Sequence, residues 1–213
     1  MHLEMLSWAS RFRRVTRSLR GVKDAFLARA PLYGLDWGDP DVVEPLRFIR
    51  DRYVLPYART AQAAVEIGPG GGRWTRYLLD VETLYLVDVH QELLDELTRH
   101  LEIRKARLVR NSGTDFPGIP DASIDFLFSF GTFVHLDAPT IERYLANMRR
   151  VLKPGANAVV QYADQTKVMA QLNEGFSDTT PDRMRQMVTA AGYRIVEEDL
   201  TTLWHSSVIR FTP

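Results

Sequence analysis

The stretch Val65-Glu66-Ile67-Gly68-Pro69-Gly70-Gly71-Gly72-Arg73-Trp74 decides the predicted fold of this chain. The apolar residues before Gly68 predict the end of a buried strand, and four glycines follow within five positions. Trp74 then opens an amphipathic run that predicts a helix to Leu79. A strand, a glycine turn and a helix can place backbone N–H groups around a polar ligand with no side chain in the way.

A second apolar run, Leu84-Tyr85-Leu86-Val87, ends at Asp88, which lies 20 residues after Gly68. In a sheet of parallel strands, this spacing places an acidic side chain at the tip of the strand beside the glycine turn. A carboxylate there can accept hydrogen bonds from both ribose hydroxyls of a nucleoside. The two stretches together therefore predict a site for a nucleoside-containing cofactor.

From Glu66 to Gly72, with Asp88 in register, the sequence resembles the cofactor-binding signature of class I S-adenosylmethionine-dependent methyltransferases. The resemblance implies that the cofactor is S-adenosyl-L-methionine and that these residues contact it: Glu66, Gly68, Gly70, Gly72 and Asp88. A dinucleotide site is the alternative, but that fingerprint requires a third glycine where this chain has Arg73. It also usually lacks an acid just before the first glycine, so we rank a nicotinamide or flavin cofactor second.

The composition is that of an ordinary globular protein, with 213 residues, 45% hydrophobic and 25% charged. Basic and acidic residues both number 27, which argues against a bulk attraction to nucleic acid. The absence of cysteine excludes disulfides, thiolate metal sites and a cysteine nucleophile. No apolar run approaches the ~20 residues that span a bilayer, and the N-terminus lacks the apolar core of a signal peptide. We therefore expect a cytoplasmic protein.

Residues 1–30 differ from the rest in charge, with seven basic residues against two acidic ones. Their apolar residues recur at spacings of three and four, which predicts an amphipathic helix: Met5, Trp8, Phe12, Val15, Leu19, Val22 and Phe26. Such a helix can pack on its own domain, form a homodimer seam or contact an anionic surface or substrate, and all three readings stay open. We divide the chain into an N-terminal helix and lid-like extension, residues 1–45, and a class I methyltransferase domain, residues 46–213.

Residues 31–48 are rich in proline and glycine and predict a loop. In class I methyltransferases the chain before the first strand often folds over the cofactor, so the resemblance implies that Tyr33 and Trp37 line the substrate pocket. Aromatic side chains that fill a surface groove are the alternative. Apolar residues from Leu46 onward predict a short helix that ends before Pro56.

Apolar runs alternate with amphipathic runs through the rest of the chain, which is the pattern of βαβ units. The predicted strands are Ala64–Ile67, Leu84–Val89, Arg107–Arg110, Ile124–Phe130, Ala158–Tyr162, Tyr193–Asp199 and Ser207–Phe211. The predicted helices are Trp74–Leu79, Glu92–Arg104, Thr140–Leu152 and Pro181–Ala191. Because the central runs are too apolar for a sheet with one wet face, helices should cover both sides. We predict an α/β fold: a Rossmann-like, doubly wound, mostly parallel seven-stranded sheet with an antiparallel last strand and an N-terminal helical extension.

In an open parallel sheet the ligand lies beyond the carboxyl ends of the strands, so the residues that follow each strand are candidate site residues. After the third predicted strand, Asp115-Phe116 resembles the family's adenine-contacting segment. The resemblance implies that Asp115 accepts from the exocyclic amine and that the N–H of Phe116 meets a ring nitrogen. A turn that Asp115 stabilises around Gly113 is the alternative. Ser129, in the fourth predicted strand, is a further predicted cofactor contact.

His135 follows the fourth predicted strand, the position from which the family addresses the methyl group and its acceptor. Methyl transfer is an in-line displacement at an activated sulfonium carbon, so the enzyme mainly aligns the nucleophile. A sugar hydroxyl is a poor nucleophile while it is protonated and therefore needs a base. We predict that His135 is this catalytic base, with a purely structural histidine as the alternative.

Two carboxylates, Asp137 and Asp164, follow the fourth and fifth predicted strands. Together with His135 they are candidates to hold Mg²⁺, which would polarise the acceptor hydroxyl. No tight spacing motif supports a metal site, and Asp137 is equally suited to cap the helix that begins near Pro139. His205 lies between the last two predicted strands, where it lines the acceptor pocket or turns a corner.

A narrower resemblance covers more of the chain. Trp37-Gly38-Asp39-Pro40, the segment from Ser129 to His135 and the closing strands resemble small bacterial methyltransferases that modify sugar hydroxyls in polysaccharide or glycoside biosynthesis. Actinobacterial enzymes that act on methylmannose polysaccharide precursors are among them. The sugar group often carries a His-His pair after the fifth strand, where this chain has Gln161-Tyr162-Ala163-Asp164.

The predicted function is an S-adenosylmethionine-dependent O-methyltransferase that acts on a small carbohydrate. The predicted substrate contacts are aromatic and histidine side chains: Tyr33, Trp37, Tyr162 and His205. A methyltransferase of RNA or protein is an alternative that only the basic N-terminal helix supports, and the acidic remainder of the chain argues against a nucleic-acid track. A non-catalytic cofactor-binding module that joins a partner through the N-terminal helix is the third candidate.

Overall fold

The structure is a computed structural model that describes Gly34, residues 37–103 and residues 105–213. The helix predicted within residues 1–30, and with it the predicted dimer seam, lies outside the described residues. Tyr33, one of the predicted pocket residues, lies outside them as well. None of the helices in the described part of the chain has both the length and the hydropathy that a bilayer-spanning segment requires.

Strands and helices alternate along the described chain. The strands are β1 (Ala63–Ile67), β2 (Thr83–Asp88), β3 (Ala106–Arg110), β4 (Ile124–Ser129), β5 (Leu152–Ala163), β6 (Arg194–Asp199) and β7 (Ser206–Thr212). The helices are α1 (Glu44–Ile49), α2 (Leu55–Ala58), α3 (Gln91–His100), α4 (Ala138–Val151), α5 (Val168–Gln171) and α6 (Pro181–Ala190). A π-helical segment, Arg50–Val54, joins α1 to α2, and single 3-10 turns lie at Thr75–Tyr77 and Phe133–His135.

The strands form one seven-stranded sheet in the order β3-β2-β1-β4-β5-β7-β6. β1 pairs in parallel with β2 on one side and with β4 on the other. β7 runs antiparallel to both β5 and β6. The predicted fold class is therefore confirmed. The chain moves outward from β1 in one direction and from β4 in the other, so the crevice between these two strands is the topological switch point where ligands bind.

Each face of the sheet packs against its own hydrophobic core. On β1, Val65 and Ile67 point into the core that α4 and α6 cover, whereas Ala64 points into the core that includes Trp74. Successive strand residues point to opposite faces, so near-continuous apolar strands require a cover on both sides. The prediction that helices lie on both sides of the sheet is confirmed.

The helix predicted from Trp74 to Leu79 is wrong, because the structure has only a single 3-10 turn, Thr75–Tyr77, at this place. Hydrogen bonds there join residues three apart, as from Leu78 N to Thr75 O at 2.8 Å. Such 3-10 turns are common as short connectors between longer elements, as here between β1 and β2. No α-helix begins directly after the glycine turn, so no helix N-terminus is available there to bind an anion. Polar contacts to a ligand at this place would have to come from the backbone of the turn itself.

The helix predicted to end before Pro56 instead continues through it as α2. A proline inside an α-helix removes a hydrogen bond, and its ring clashes with the carbonyl four residues earlier. The π-helical segment Arg50–Val54 directly precedes α2 and widens the helix at this point. The wider turn gives the proline ring room, and buried Tyr53 and Val54 hold the segment against the sheet.

Candidate functional site

A cavity of about 370 Å³ opens where the carboxyl ends of β1, β2 and β4 meet. We call it the main cavity, and its volume lies in the ~300–1,000 Å³ range of small-molecule sites. Three of the predicted cofactor residues line it: Gly68, Gly70 and Asp88. The cavity therefore occupies the switch point of the sheet, where a doubly wound fold binds its ligand.

The glycine turn after β1 packs directly against the loop after β4. Gly68 has a φ of 70°, and a Cβ atom at this position would lie 1.9 Å from Oγ1 of Thr132. The Thr132 hydroxyl donates to the carbonyl oxygen of Ile67 at 3.3 Å, and the buried Ser129 hydroxyl donates to the same oxygen at 3.0 Å. Gly68 is thus required both for its backbone conformation and for the close approach of the two loops.

Glu66 and Gly72, two further predicted cofactor residues, support the glycine turn without lining the main cavity. A Cβ atom on Gly72 would lie 2.2 Å from Cδ1 of Leu101. Glu66 is 2% exposed and accepts a hydrogen bond from the Thr75 hydroxyl at 2.6 Å. Burial raises the pKa of the Glu66 carboxyl to about 7, although the Thr75 hydroxyl and the charge of Arg73 oppose the shift. Glu66 therefore stabilises the glycine turn from inside the protein through its hydrogen bond with Thr75.

Asp88 ends β2 and faces the main cavity. Its Oδ1 accepts a hydrogen bond from the backbone N–H of His90 at 2.9 Å, which fixes the side chain at the tip of the strand. Burial raises the pKa of the carboxyl, and the His90 hydrogen bond opposes this rise. The position suits the predicted ribose contact, which remains a prediction.

The segment predicted to contact adenine forms a tight turn. Oδ1 of Asp115 accepts hydrogen bonds from the N–H of Ser112 at 2.6 Å and from its hydroxyl at 2.7 Å. The Phe116 side chain is buried and packs edge-on against Tyr144, with ring centroids 6.1 Å apart. Neither Asp115 nor Phe116 lines the main cavity, whereas Gly113 of the same turn does. The turn-forming role of Asp115 is present, and the adenine contact remains a prediction.

A smaller cavity of about 80 Å³ adjoins the main cavity. We call it the side cavity. Five residues line both: Trp37, Arg73, Phe130, Gly131 and His135. The remaining walls of the side cavity are Leu46, Val134, Gln161, Phe176 and His205. A donor in one cavity and an acceptor in the other would therefore meet at a shared wall that includes His135.

His135 sits at the end of the 3-10 turn after β4, where its ring is held by a neighbouring loop. Its Nδ1 lies 2.7 Å from the carbonyl oxygen of Gly175. Because a carbonyl oxygen only accepts, Nδ1 carries the proton, and in the neutral ring Nε2 bears the lone pair. Phe176 packs edge-on against the ring at a centroid distance of 5.5 Å. The loop thus selects the tautomer and the orientation that a general base needs.

The other predicted substrate residues fall in different places. Trp37 lines both cavities, and His205 lines the side cavity, where its ring packs edge-on against Phe176 at 5.4 Å. Burial, together with the charges of Lys167 and Arg73, lowers the pKa of His205 to about 4, so its ring is neutral at neutral pH. Tyr162 is fully buried in the core and lines neither cavity. Its placement does not support an acceptor contact.

The predicted Mg²⁺ site is not supported. Asp137 caps α4, accepting a hydrogen bond from Thr140 N at 3.0 Å. Asp164 is 1% exposed and accepts from the hydroxyls of Thr166 and Ser207, with Lys167 as its ion-pair partner at 3.4 Å. Within the described part of the chain, no group of three or more histidine or acidic side chains is arranged to hold a metal ion. Both carboxylates have structural partners in place of a cation.

The structure also brings residues to the site that the sequence did not single out. Arg73, Phe130 and Thr132 all line the main cavity, and Gln161 lines the side cavity. In the sequence, Arg73 stands inside the glycine stretch and signals only that a dinucleotide glycine is missing. Oε1 of Gln161 accepts from Gly131 N at 2.6 Å and its Nε2 donates to Ser206 Oγ at 2.6 Å, so it fixes the loop after β4 to β7.

Comparisons with known proteins agree with this architecture. Residues 64–155 match the family model of a methyltransferase domain. An S-adenosylmethionine-dependent methyltransferase from Mesorhizobium loti superposes with a TM-score of 0.67 at 13% identity, over 82% of this chain and 100% of that one. The CcbJ methyltransferase from Streptomyces caelestis superposes with a TM-score of 0.64 at 18% identity, over 83% of this chain and 99% of that one. The glycopeptide N-methyltransferase MtfA, solved with S-adenosylmethionine, gives 0.57 at 14% identity, over 71% and 81%. At these identities the solved structures show a shared fold, and the family model resembles the part of the chain from residue 64 to residue 155.

We expect Gly68→Ala to destabilise the protein beyond the roughly 1–2 kcal/mol that a left-handed backbone costs an L-residue. The added Cβ also displaces Thr132 from its hydrogen bond to Ile67. Gly118→Ala is the matched control, because Gly118 has a φ of 74° and a Cβ added there would meet no atom within 4 Å. Denaturant unfolding of both variants checks this, and equal losses of stability would contradict the close approach.

Glu66 should make stability fall as pH rises. Its carboxyl holds a proton up to about pH 7 in the folded state, against an ordinary value of 4.5. Relative to Glu66→Gln, the wild type should therefore lose roughly 1–3 kcal/mol of unfolding free energy between pH 4.5 and 7 and level off above that. Urea unfolding across this range measures the difference. Glu82→Gln is the control: it removes an exposed acidic side chain and keeps Glu66, so its unfolding free energy should fall over this range as that of the wild type does.

Proposed function

We propose that this protein is an S-adenosylmethionine-dependent methyltransferase and that it methylates a hydroxyl group of a sugar or oligosaccharide. One observation carries the proposal: His135 lies in the shared wall of the two cavities, with its Nδ1 committed to the carbonyl of Gly175. A base held in one tautomer at that junction is what transfer to a hydroxyl needs and what transfer to a more reactive thiolate does not. The methylated mannoside precursors of polysaccharides are the acceptors that the sequence likeness favours.

The residues of the main cavity fit the methyl donor. Gly68 and Gly70 adopt left-handed conformations that turn the chain sharply around the cavity, and Asp88 offers an acceptor at the tip of β2. A Cβ atom on Gly113 would meet nothing within 4 Å, so its glycine leaves the cavity wall open at the side of the predicted adenine segment. We assign the ribose to Asp88 and the rest of the donor to the backbone around the glycine turn.

The side cavity and its shared wall have the chemistry of a carbohydrate site. Trp37, Phe130 and Phe176 line the side cavity with aromatic rings, a kind of side chain that can pack against the apolar faces of a sugar. Gln161 and His205 add polar groups, and His205 is neutral at physiological pH. A mostly apolar wall with a few polar groups positions a small ligand without a strong charge requirement.

The reaction follows from these positions. When bound, S-adenosylmethionine supplies a methyl group on a positively charged sulfur. The methyl carbon would exchange its bond to sulfur for a bond to the acceptor oxygen in one in-line displacement, and the part of the chain is to align that oxygen and take up its proton. His135 accepts the hydroxyl proton at Nε2, and the Gly175 carbonyl, which accepts from Nδ1–H, stabilises the charged ring that results. Because His135 is an exposed residue, the proton can then leave to solvent.

The relatives leave the acceptor open. MtfA is a glycopeptide N-methyltransferase, so the fold shared with it also serves nitrogen acceptors. The proposal of a sugar hydroxyl therefore rests on His135, on the aromatic side chains of the side cavity and on the sequence likeness. Transfer to RNA or protein, or binding without catalysis, are the outcomes that the experiment below must separate from it.

We expect His135→Gln to lower kcat by about 10²–10⁴-fold, the usual contribution of a general base, and to leave the affinity for S-adenosylhomocysteine unchanged. His100→Gln is the matched control, because His100 lies at the end of α3 and lines neither cavity. The measurements are transfer of a labelled methyl group to a panel of sugars and calorimetry with the cofactor product.

Three results would contradict the proposal at different levels. Unchanged turnover in His135→Gln removes the assigned base. Labelling of RNA or protein but of no sugar replaces the acceptor class. Absence of any binding of S-adenosylmethionine or its product, with NAD as the comparison ligand, removes the donor itself.

A further inference from the structure

Arg73 is a buried cation in the shared wall of the two cavities. The residue is only 6% exposed, and it lines both the main and the side cavity. Its Nη1 donates to the backbone carbonyls of Trp37 at 3.1 Å and Gly38 at 3.4 Å. Among the described residues, Nε and Nη2 have no hydrogen-bond partner and no carboxylate lies within ion-pair distance of the guanidinium. The Nε and Nη2 groups, which form one edge of the planar guanidinium, therefore have hydrogen-bond donors that these residues leave unused.

Aromatic rings fix the orientation of this guanidinium. Its central carbon lies 5.9 Å from the ring centroid of Trp37, 5.8 Å from that of Trp74 and 5.5 Å from that of Phe130. Such cation–π contacts stabilise the charge but offer no acceptor to the N–H groups. The side chain is thus held in place without its hydrogen-bonding capacity being filled.

The charge of Arg73 is poorly compensated by its surroundings. Burial lowers the pKa of its guanidinium to about 10, so it stays protonated at neutral pH. Glu66 is the acidic group whose charge acts on it, but burial raises the pKa of that carboxyl to about 7, which leaves it partly protonated. A buried charge without a full partner is costly, and an anion that entered the cavity would relieve the cost.

We propose that Arg73 forms an anion-binding site that takes a carboxylate or phosphate group of a bound substrate on its Nε and Nη2 edge. A guanidinium edge matches two oxygens of such a group with two parallel hydrogen bonds. Either substrate can supply it: the methyl donor carries a carboxylate, and an acidic or phosphorylated sugar carries a carboxylate or phosphate. Both sources rest on the proposed function, the first on its methyl donor and the second on its sugar acceptor.

Arg73→Lys tests the proposal, because it keeps the positive charge and removes the planar fork. Arg149→Lys is the matched control: Arg149 also donates to a backbone carbonyl, of Gly192 at 2.8 Å, and also lies over an aromatic ring, of Tyr193 at 5.6 Å, but lines neither cavity. Calorimetry compares charged and uncharged ligands of the same size class. The pairs are S-adenosylhomocysteine with 5′-methylthioadenosine, and glucose 6-phosphate with glucose.

If the donor carboxylate is the ligand, Arg73→Lys should weaken the binding of S-adenosylhomocysteine about 10- to 100-fold. The affinity for 5′-methylthioadenosine, which lacks the carboxylate, should stay unchanged. If the anion is on the acceptor, the affinity for S-adenosylhomocysteine should stay constant. The affinity for glucose 6-phosphate should then fall by a similar factor, and that for glucose should not change. Either result supports the proposed site at Arg73, provided that the control Arg149→Lys keeps the affinities of the wild type. Equal effects on charged and neutral ligands, or no effect on any, would overturn it.

Inorganic phosphate gives a second test that uses the wild type and needs no methylation. At constant ionic strength, phosphate in place of chloride should raise the melting temperature of the wild type and of Arg149→Lys, and Arg73→Lys should lose most of the shift. Should Arg73→Lys fail to fold, competition between phosphate and the charged ligands on the wild type decides the matter. A wild type that is indifferent to phosphate in both the melting and the competition measurement contradicts the proposal. Because this readout is independent of turnover, the sugar assignment can fail while the anion site stands.

Discussion

The contact between the glycine turn after β1 and the loop after β4 is the constraint on which the site depends. Gly68 has no side chain, so Thr132 can approach its Cα closely, and the carbonyl oxygen of Ile67 receives hydrogen bonds from both Thr132 and Ser129. The first loop lines the main cavity, and the second carries His135. Because a single carbonyl oxygen ties the two loops together, the position of His135 relative to the main cavity is set by backbone packing.

Long, patterned segments of the fold could be predicted from the sequence, because their apolar residues have only one way to be buried. For each strand of the sheet, at least one of the two predicted ends lies within a few residues of the observed end. The antiparallel pairing of β6 with β7 was also correctly predicted. The errors fall where a local pattern fits two structures. Six amphipathic residues from Trp74 suit an α-helix or a 3-10 turn equally well, so their pattern does not decide between the two. Pro56 normally ends a helix, and only the π-helical widening before it allows α2 to form.

The candidate site was partly predictable for a similar reason. Asp88 and the glycines lie next to their strands, so strand prediction alone brings them to one edge of the sheet. The contact between His135 and Gly175 joins residues 40 positions apart, and no local pattern reveals it. Asp137 and Asp164 illustrate the opposite error, since proximity to strand ends suggested a metal, whereas a helix cap and a hydroxyl network account for their oxygens. Arg73 was visible in the sequence, but only the tertiary structure shows that no carboxylate of the described residues lies within ion-pair distance of it.

Some residues of the cavity walls are shared and others belong to one cavity alone, so the two cavities can be altered separately. Trp37 and Phe130 face both compartments, so a change at either of them alters the larger cavity along with the smaller one. Leu46 and Phe176 face only the smaller compartment. Substitutions at these two positions can therefore reshape the smaller compartment while the walls of the larger one stay unaltered.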